Sequence, residues 1–330
     1  MMNLKEAARM IYDLFLFIGV AVLYITKTVI SMLVPRRYRG KLIKDEIALV
    51  TGGASGIGKL IAIKLAKLGA RVIVWDINKN GLTEVAEEIK KVGGKCYTYC
   101  CDIADKEEIY RIAKVIQIEV GNVSMLVNNA GYVYGRTFME LPDCEIEQTF
   151  KVNILSHYWI TKSFLKDMMK KNHGHIVTIA SVTGLIGTYK CTDYSATKFA
   201  AIGCHESLFT ELKVHGYDGI HMTLVCPYLI NTGMFNGVNP RLMPMLKPEY
   251  VAERVVAGVL ANEMLIVLPS IIKYLLPFKY LFPIKICWAL MYHILKGPQI
   301  MMTFKGREPR KTSSDNDSIN IYASSKVIGN

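Results

Sequence analysis

The chain has 330 residues, 51% hydrophobic and 21% charged, which is enough apolar material to bury a full core and excludes global disorder. Its net charge of +12 sits at the ends: residues 1–44 hold eight basic and two acidic side chains, residues 265–311 hold eight and one, and 45–264 are neutral. A neutral centre between two basic, apolar ends argues against a nucleic-acid enzyme and for a lipid surface.

Leu14 to Val34 is 21 residues with one charge, Lys27. As a helix it would span about 31 Å, close to the thickness of a bilayer core. Ser31-Met32-Leu33-Val34 is a poor cleavage site, so a retained membrane helix is predicted rather than a removable signal. Downstream lie Arg36, Arg37, Arg39, Lys41 and Lys44 without an acid; upstream, Lys5 and Arg9 are offset by Glu6 and Asp13. The positive-inside rule then keeps the following domain cytosolic. The eight cysteines show no CxxC pair and read as reduced thiols, mostly small buried apolar residues.

From 45 to 264 the pattern alternates. Strand-length apolar runs are predicted at Ile47–Val50, Val72–Trp75, Cys96–Cys100, Met125–Val127, Ile176–Ala180 and Met222–Cys226. Amphipathic helices are predicted at Ile57–Leu68, Gly81–Val92, Lys106–Val120, Glu145–Lys170 and Ser195–His215. This alternation implies an α/β fold of Rossmann type: a doubly wound parallel sheet in three α/β/α layers, preceded by a membrane helix. Right-handed crossovers place the strand C-termini, and any ligand, along one edge.

The first strand runs into Thr51-Gly52-Gly53-Ala54-Ser55-Gly56-Ile57-Gly58, followed by a helix. Glycines at such a turn let the backbone approach a pyrophosphate facing the helix N-terminus. An acid, Asp76, ends the second strand. Its carboxylate would accept ribose hydroxyls and repel a 2′-phosphate, and Gly53, Ala54 and Ser55 supply no cation. NAD(H) is therefore favoured, with Lys79 keeping NADP(H) open.

Tyr194 and Lys198 are four apart at a helix start and share a face. An ammonium beside a phenol stabilises the phenolate, which makes a general acid/base for an alcohol or carbonyl. Ser181 ends a predicted strand on the cofactor edge, and Asn153 lies on a helix facing it. The seven histidines form no HExxH and no cysteine–histidine cluster, so no metal site is expected.

Beyond Leu265 the chain is apolar but broken by Pro269, Pro277, Pro283 and Pro298 and by Lys273, Lys279, Lys285 and Lys296. No uncharged stretch between those lysines is long enough to span a bilayer. Short helices lying in a membrane interface are expected, with a dimer interface or pocket cover as the alternative. The polar residues 306–330 read as a disordered tail. The chain therefore divides into an anchor and basic linker (1–44), a dinucleotide-binding catalytic domain (45–270), C-terminal membrane-associated or pocket-covering helices (271–305) and the tail.

The Thr51–Gly58 loop, Asn128-Asn129-Ala130-Gly131, Asn153, Ser181 and the Tyr194/Lys198 pair resemble the short-chain dehydrogenase/reductase family. Val74–Asn78, Gly121–Val127, His173–Val177 and Val225–Phe235 are similar to its membrane-bound branch of retinol and 17β-hydroxysteroid dehydrogenases. The resemblance implies that Tyr194 is the acid/base, that Lys198 lowers its pKa and binds the nicotinamide ribose, that Ser181 holds the substrate oxygen, and that Asn153 anchors a proton-relaying water. It implies cofactor contacts from Thr51, Gly52, Ser55, Gly56, Ile57, Gly58 and Asp76. Asp102 would meet the adenine, and Asn128, Ala130 and Gly131 the adenosine side. Pro227, Ile230 and Thr232 would meet the nicotinamide. Tyr228 departs from the glycine that many members carry after the proline. The implied activity is hydride transfer between NAD and a lipophilic alcohol, retinol first and a steroid second, on the endoplasmic reticulum or a lipid droplet, with a homodimer left open. The alternatives are an NADPH-dependent reductase of long-chain ketones and a catalytically idle lipid-surface protein.

Overall fold

A computed structural model describes residues 4–33, 40–241 and 243–307. The end of the expected span (Val34), the cations Arg36, Arg37 and Arg39, and residues 308–330 of the expected tail lie outside the described residues.

Seven strands form one parallel sheet: β1 (Ile47–Thr51), β2 (Arg71–Asp76), β3 (Lys95–Cys100), β4 (Met125–Asn128), β5 (Gly174–Ile179), β6 (Ile220–Pro227) and β7 (Leu265–Leu268). Their order is β3-β2-β1-β4-β5-β6-β7. The order reverses between β1 and β4, which opens a crevice at their C-terminal ends. β7 was not anticipated. Its Leu-Ile-Val-Leu run merges in sequence with the apolar C-terminal region, yet it pairs with Leu224–Pro227 of β6.

Strand residues alternate between two cores, as a period of two requires. Ala48, Val50, Val72 and Val74 face one side, beneath α2 (Gly56–Lys67), α3 (Lys79–Lys91) and α8 (Pro248–Leu260). Ile47, Leu49, Ile73 and Trp75 face the other, beneath α4 (Lys106–Glu119), α6 (Ser156–Lys171) and α7 (Thr192–Val214). Leu49 and Ile73 are fully buried, so truncating either to alanine removes about 2–5 kcal/mol.

The predicted helix Glu145–Lys170 is interrupted. It comprises α5 (Asp143–Phe150), a π turn over Lys151–Leu155, and α6. The N-terminal helix α1 spans Leu4–Leu33, starting well before the predicted Leu14. Its segment Leu4–Lys27 is long and apolar enough to cross a membrane and is not buried against the rest of the described protein. The linker cations are not all free for headgroups. The Lys41 amide donates to the Leu260 carbonyl (2.9 Å), and its Nζ lies 2.7 Å from His175 Nδ1 at the start of β5. Burial pushes the Lys41 ammonium down to about 8. Ile43 already belongs to the core. The chain thus enters the domain at the N-terminal edge of the sheet, opposite the crevice.

Four short helices follow β7: α9 (Ile271–Leu275), α10 (Phe278–Leu281), α11 (Ile284–Ala289) and α12 (Gly297–Met302). All eight cysteines are free.

Candidate active site

β1 delivers Thr51 to the crevice, where its Oγ1 accepts from the backbone amides of Asn129 (3.0 Å) and Ala130 (3.1 Å). The Asn129 side chain returns the tie, its Nδ2 donating to the carbonyls of Thr51 (2.8 Å) and Gly52 (3.2 Å). The glycine loop after β1 is therefore held from below by the segment after β4. Gly52 adopts φ +62°, and a Cβ on it would come within 2.8 Å of the Ala130 backbone. A Cβ on Gly58 would sit 2.2 Å from the Gly52 carbonyl oxygen. Glycine is required at both positions for the loop to close on itself.

Ser55 precedes α2 without a side-chain cap, and the first turn of α2, which includes the buried Ile57, has no acid. Such a helix start favours negative charge. Asp76 ends β2, its carboxylate accepting from the amides of Ala54 (3.1 Å) and Asn78 (2.9 Å). Asp102, after β3, turns one oxygen onto the Ala104 amide at 2.9 Å. The Asn128 Oδ1 is buried without a protein partner. A glycine cradle, an acid-free helix start and a carboxylate at the end of the adjacent strand suit a dinucleotide. The loop after β6 reaches the same place, because the side chain of Thr232 lies against Gly56. Ile230 pairs with Leu246 as an isolated bridge. Tyr228 fits without distortion, its amide extending the ladder onto the Leu268 carbonyl (2.7 Å).

Tyr194, in the first turn of α7, is 5% exposed, and Ser181, after β5, is 8% exposed. The Lys198 Nζ donates to the Ile179 carbonyl at 2.9 Å and lies 5.5 Å from the Tyr194 ring centroid. Burial pushes the Lys198 ammonium down to about 8. Burial likewise raises the Tyr194 phenol well above its ordinary value, and a hydrogen bond with Ser181 opposes the rise. The depressed phenol expected from the Tyr/Lys spacing is thus absent in the isolated chain, where desolvation dominates.

Asn153 sits in the π turn with its amide fully engaged. Its Oδ1 accepts from the Tyr132 amide (2.7 Å), and its Nδ2 donates to the Tyr132 carbonyl (2.8 Å) and to Thr197 Oγ1 (3.0 Å). Gly131 lies alongside; a Cβ there would be 3.7 Å from Asn153 Oδ1 and 3.9 Å from Lys198 Nζ. Asn129 and Thr197 carry much of this geometry and were not singled out from sequence. Asn129 was visible inside the Asn-Asn-Ala-Gly run, whereas Thr197 gives no sequence signal of its own.

The roof over Tyr194 is apolar. The Phe235 ring meets Tyr194 edge-on at 5.8 Å, and Phe304 packs on Phe235 at 5.3 Å. Leu229, Val238 and Met301 complete the cluster.

A family profile described as short chain dehydrogenase matches residues 46–242. The chain is 41% identical over 267 residues to estradiol 17-beta-dehydrogenase 11 of Macaca fascicularis, covering 81% of this chain and 88% of that protein. It is 40% identical over 276 residues to human epidermal retinol dehydrogenase 2, covering 82% and 89%. Among solved structures, a metagenomic short-chain oxidoreductase in complex with NADP is 26% identical, covers 69% of this chain and 97% of its own, and superposes with a TM-score of 0.58. A 7α-hydroxysteroid dehydrogenase complexed with NADH and 7-oxo glycochenodeoxycholic acid is 25% identical, covers 68% and 93%, and has a TM-score of 0.61. With the nicotinamide-binding neighbours and the fold described above, these matches give one conclusion: the chain belongs to the short-chain dehydrogenase family and is an NAD(P)-dependent oxidoreductase.

Proposed function

We propose that the chain is a membrane-anchored dehydrogenase that exchanges a lipophilic alcohol for its carbonyl with NAD(H), retinol being the first candidate substrate and a steroid the second. The observation that carries this reading is the apolar roof of Phe235 and Phe304 over a buried Tyr194 beside the phosphate loop. Apolar walls of this kind would desolvate an apolar substrate and offer few polar groups beyond the hydroxyls that orient one oxygen.

In this reading the bound nicotinamide supplies the hydride acceptor or donor. Ser181 orients the substrate oxygen through its hydroxyl. Tyr194 takes the alcohol proton in oxidation and returns it in reduction. Burial opposes the phenolate, so the Lys198 ammonium is the local charge available to support it. Asn153 acts as a positioning residue, joining the Tyr132 backbone to α7 through Thr197. Thr51 to Gly58 cradle the pyrophosphate, Asp102 and Asn128 to Gly131 flank the adenosine, and Pro227 to Thr232 cover the nicotinamide. Asp76 favours NAD(H) because its carboxylate faces the loop where a 2′-phosphate would sit. α1 anchors the chain in the endoplasmic reticulum or on a lipid droplet, with the catalytic domain in the cytosol; its length and apolarity support this.

The test is a panel of retinoids and steroids, each with NAD⁺ and NADP⁺, on membranes carrying the chain. Fastest initial rates with a retinoid and NAD⁺ are expected. Turnover confined to small water-soluble alcohols would overturn the substrate class.

A further inference from the structure

Residues 271–307 hold two features that meet. The first is a surface. Leu281, Ile284, Trp288 and Ile294 are 60–76% exposed on α10, α11 and the turn that follows, a concentration of bare apolar area unusual for a surface meant only for water. Lys273 and Lys285 are exposed beside them, and no acid occurs between Leu265 and Arg307. Apolar side chains interleaved with cations, and free of acids, complement an anionic phospholipid headgroup layer: the rings and aliphatic chains enter the acyl boundary while the ammonium groups stay with phosphate.

The second is a strap. α12 continues directly into Thr303–Arg307, which packs against Tyr134–Gly135 after β4 and Asn236–Gly237 after β6. Met301 and Phe304 are 3% and 2% exposed, and Phe304 presses on Phe235 above Tyr194. The strap backbone is tied at the surface. Lys190 Nζ donates to the carbonyls of Met302 (3.1 Å) and Phe304 (3.0 Å), and Arg136 donates to those of Lys305 (2.6 Å) and Arg307 (2.8 Å). The Lys305 amide also donates to the Asn236 carbonyl (3.1 Å) and the Arg307 amide to the Tyr134 carbonyl (2.8 Å). The Arg307 guanidinium lies 4.2 Å from the Tyr132 ring centroid. The buried Phe304 ring is thus one hold alongside several polar ties that water or a headgroup phosphate can replace. With Phe304 seated on Phe235, Tyr194 is 5% exposed beneath the pair.

We propose that residues 271–302 form a second lipid-contacting surface, separate from α1, and that its seating on an anionic headgroup layer draws Phe304 off Phe235 and opens Tyr194 to substrate. The lipid surface is then an activator as well as a reservoir. The proposal rests on the reading of Tyr194 as the reacting hydroxyl.

The test uses the full chain reconstituted into vesicles of phosphatidylcholine alone or mixed with phosphatidylserine. Two quantities are read: quenching of tryptophan emission by brominated phospholipid, with Trp288→Phe identifying the Trp288 share, and kcat/KM for a short, water-soluble alcohol, which needs no lipid reservoir. With phosphatidylserine, Trp288 should be quenched and kcat/KM should rise on the order of tenfold. The pair Lys273→Glu and Lys285→Glu should abolish both effects. Phe304→Ala should bring the rate in neutral vesicles up to the anionic level; if it does not fold, Lys190→Met, which removes two strap ties, should act in the same direction.

Trp288 unquenched in both vesicles would overturn the lipid contact, as would its protection by cross-linkable pairing with a second copy. Quenching with equal rates in both lipids, and no gain from Phe304→Ala or Lys190→Met, would overturn the gate. No turnover of any alcohol in any lipid would overturn the reading of Tyr194, and Trp288 quenching would still report the surface on its own.

Discussion

Lys198 reaches past Tyr194 to the carbonyl of Ile179, so the ammonium and the phenol share one buried space without a direct bond between them. The lysine is held 5.5 Å from the ring centroid and is itself strained toward neutrality by burial. Its charge is therefore costly in the isolated chain, and that cost has a measurable sign.

A lysine with a folded pKa of about 8, against an ordinary 10.5, binds fewer protons in the folded chain than in the unfolded one between those values. Stability from this group accordingly rises with pH across that window. Comparison with Lys198→Met isolates it, because the buried cysteines, whose raised pKa values act in the opposite direction, are common to both proteins. Chemical denaturation from about pH 7 to about pH 9 should move the stability difference toward the native chain by about 1 kcal/mol. Parallel curves would mean that Lys198 keeps its proton in the fold across this range, with no depression by burial.

Gly58→Ala should disable the cradle. The added Cβ would meet the Gly52 carbonyl oxygen and the Asn129 amide, neither of which can withdraw without breaking the Thr51–Asn129 tie. Isothermal titration should show NAD(H) affinity falling more than about tenfold, with a loss of about 1–3 kcal/mol in stability. Gly93→Ala is the contrasting control for the added methyl group: a Cβ there meets nothing within 4 Å, although its φ of +77° carries a backbone cost of its own.

Asp76→Ala should weaken NAD(H) and narrow its advantage over NADP(H), since the carboxylate both accepts hydrogen bonds and repels a 2′-phosphate. The ratio of kcat/KM for the two cofactors is the measurement. A native enzyme that already prefers NADP(H) would show that the exposed Lys79 governs the local field.

Much of the site was legible because its chemistry is local. The glycine loop, the strand-end Asp76 and the Tyr194/Lys198 spacing are short-range patterns. Their meeting at one edge follows from the handedness of βαβ units. What was hidden depends on distance or on single-residue slips. The amphipathic stretch Glu145–Lys170 cannot reveal the π turn that aims Asn153 at Tyr132, because one extra residue barely alters a helical period. α8 did leave a signal that was passed over: Val251, Ala252, Val255, Val256 and Val259 lie at helical spacing behind Pro248. Phe304 joins the roof over Tyr194 through Phe235, from more than a hundred residues away from Tyr194 in sequence, and no periodicity points there. The Tyr/Lys spacing announces a pair but not the desolvation around it, hence the opposite direction of the phenol shift.

The topology has its own check. Asn122-Val123-Ser124 is a glycosylation sequon just before β4, with Asn122 exposed. With the domain in the cytosol it should carry no glycan in a cell that glycosylates lumenal sequons. Endoglycosidase-sensitive mass on Asn122 would place the domain in the lumen.

The most direct test of the account is Tyr194→Phe, which keeps the ring against Phe235 and removes only the transferable proton. With NAD⁺ and the best alcohol of the panel, NADH formation should fall at least about a hundredfold, the scale of a general acid/base group, while circular dichroism and NAD(H) affinity stay native. A folded, cofactor-binding Tyr194→Phe enzyme with near-native turnover would contradict the account.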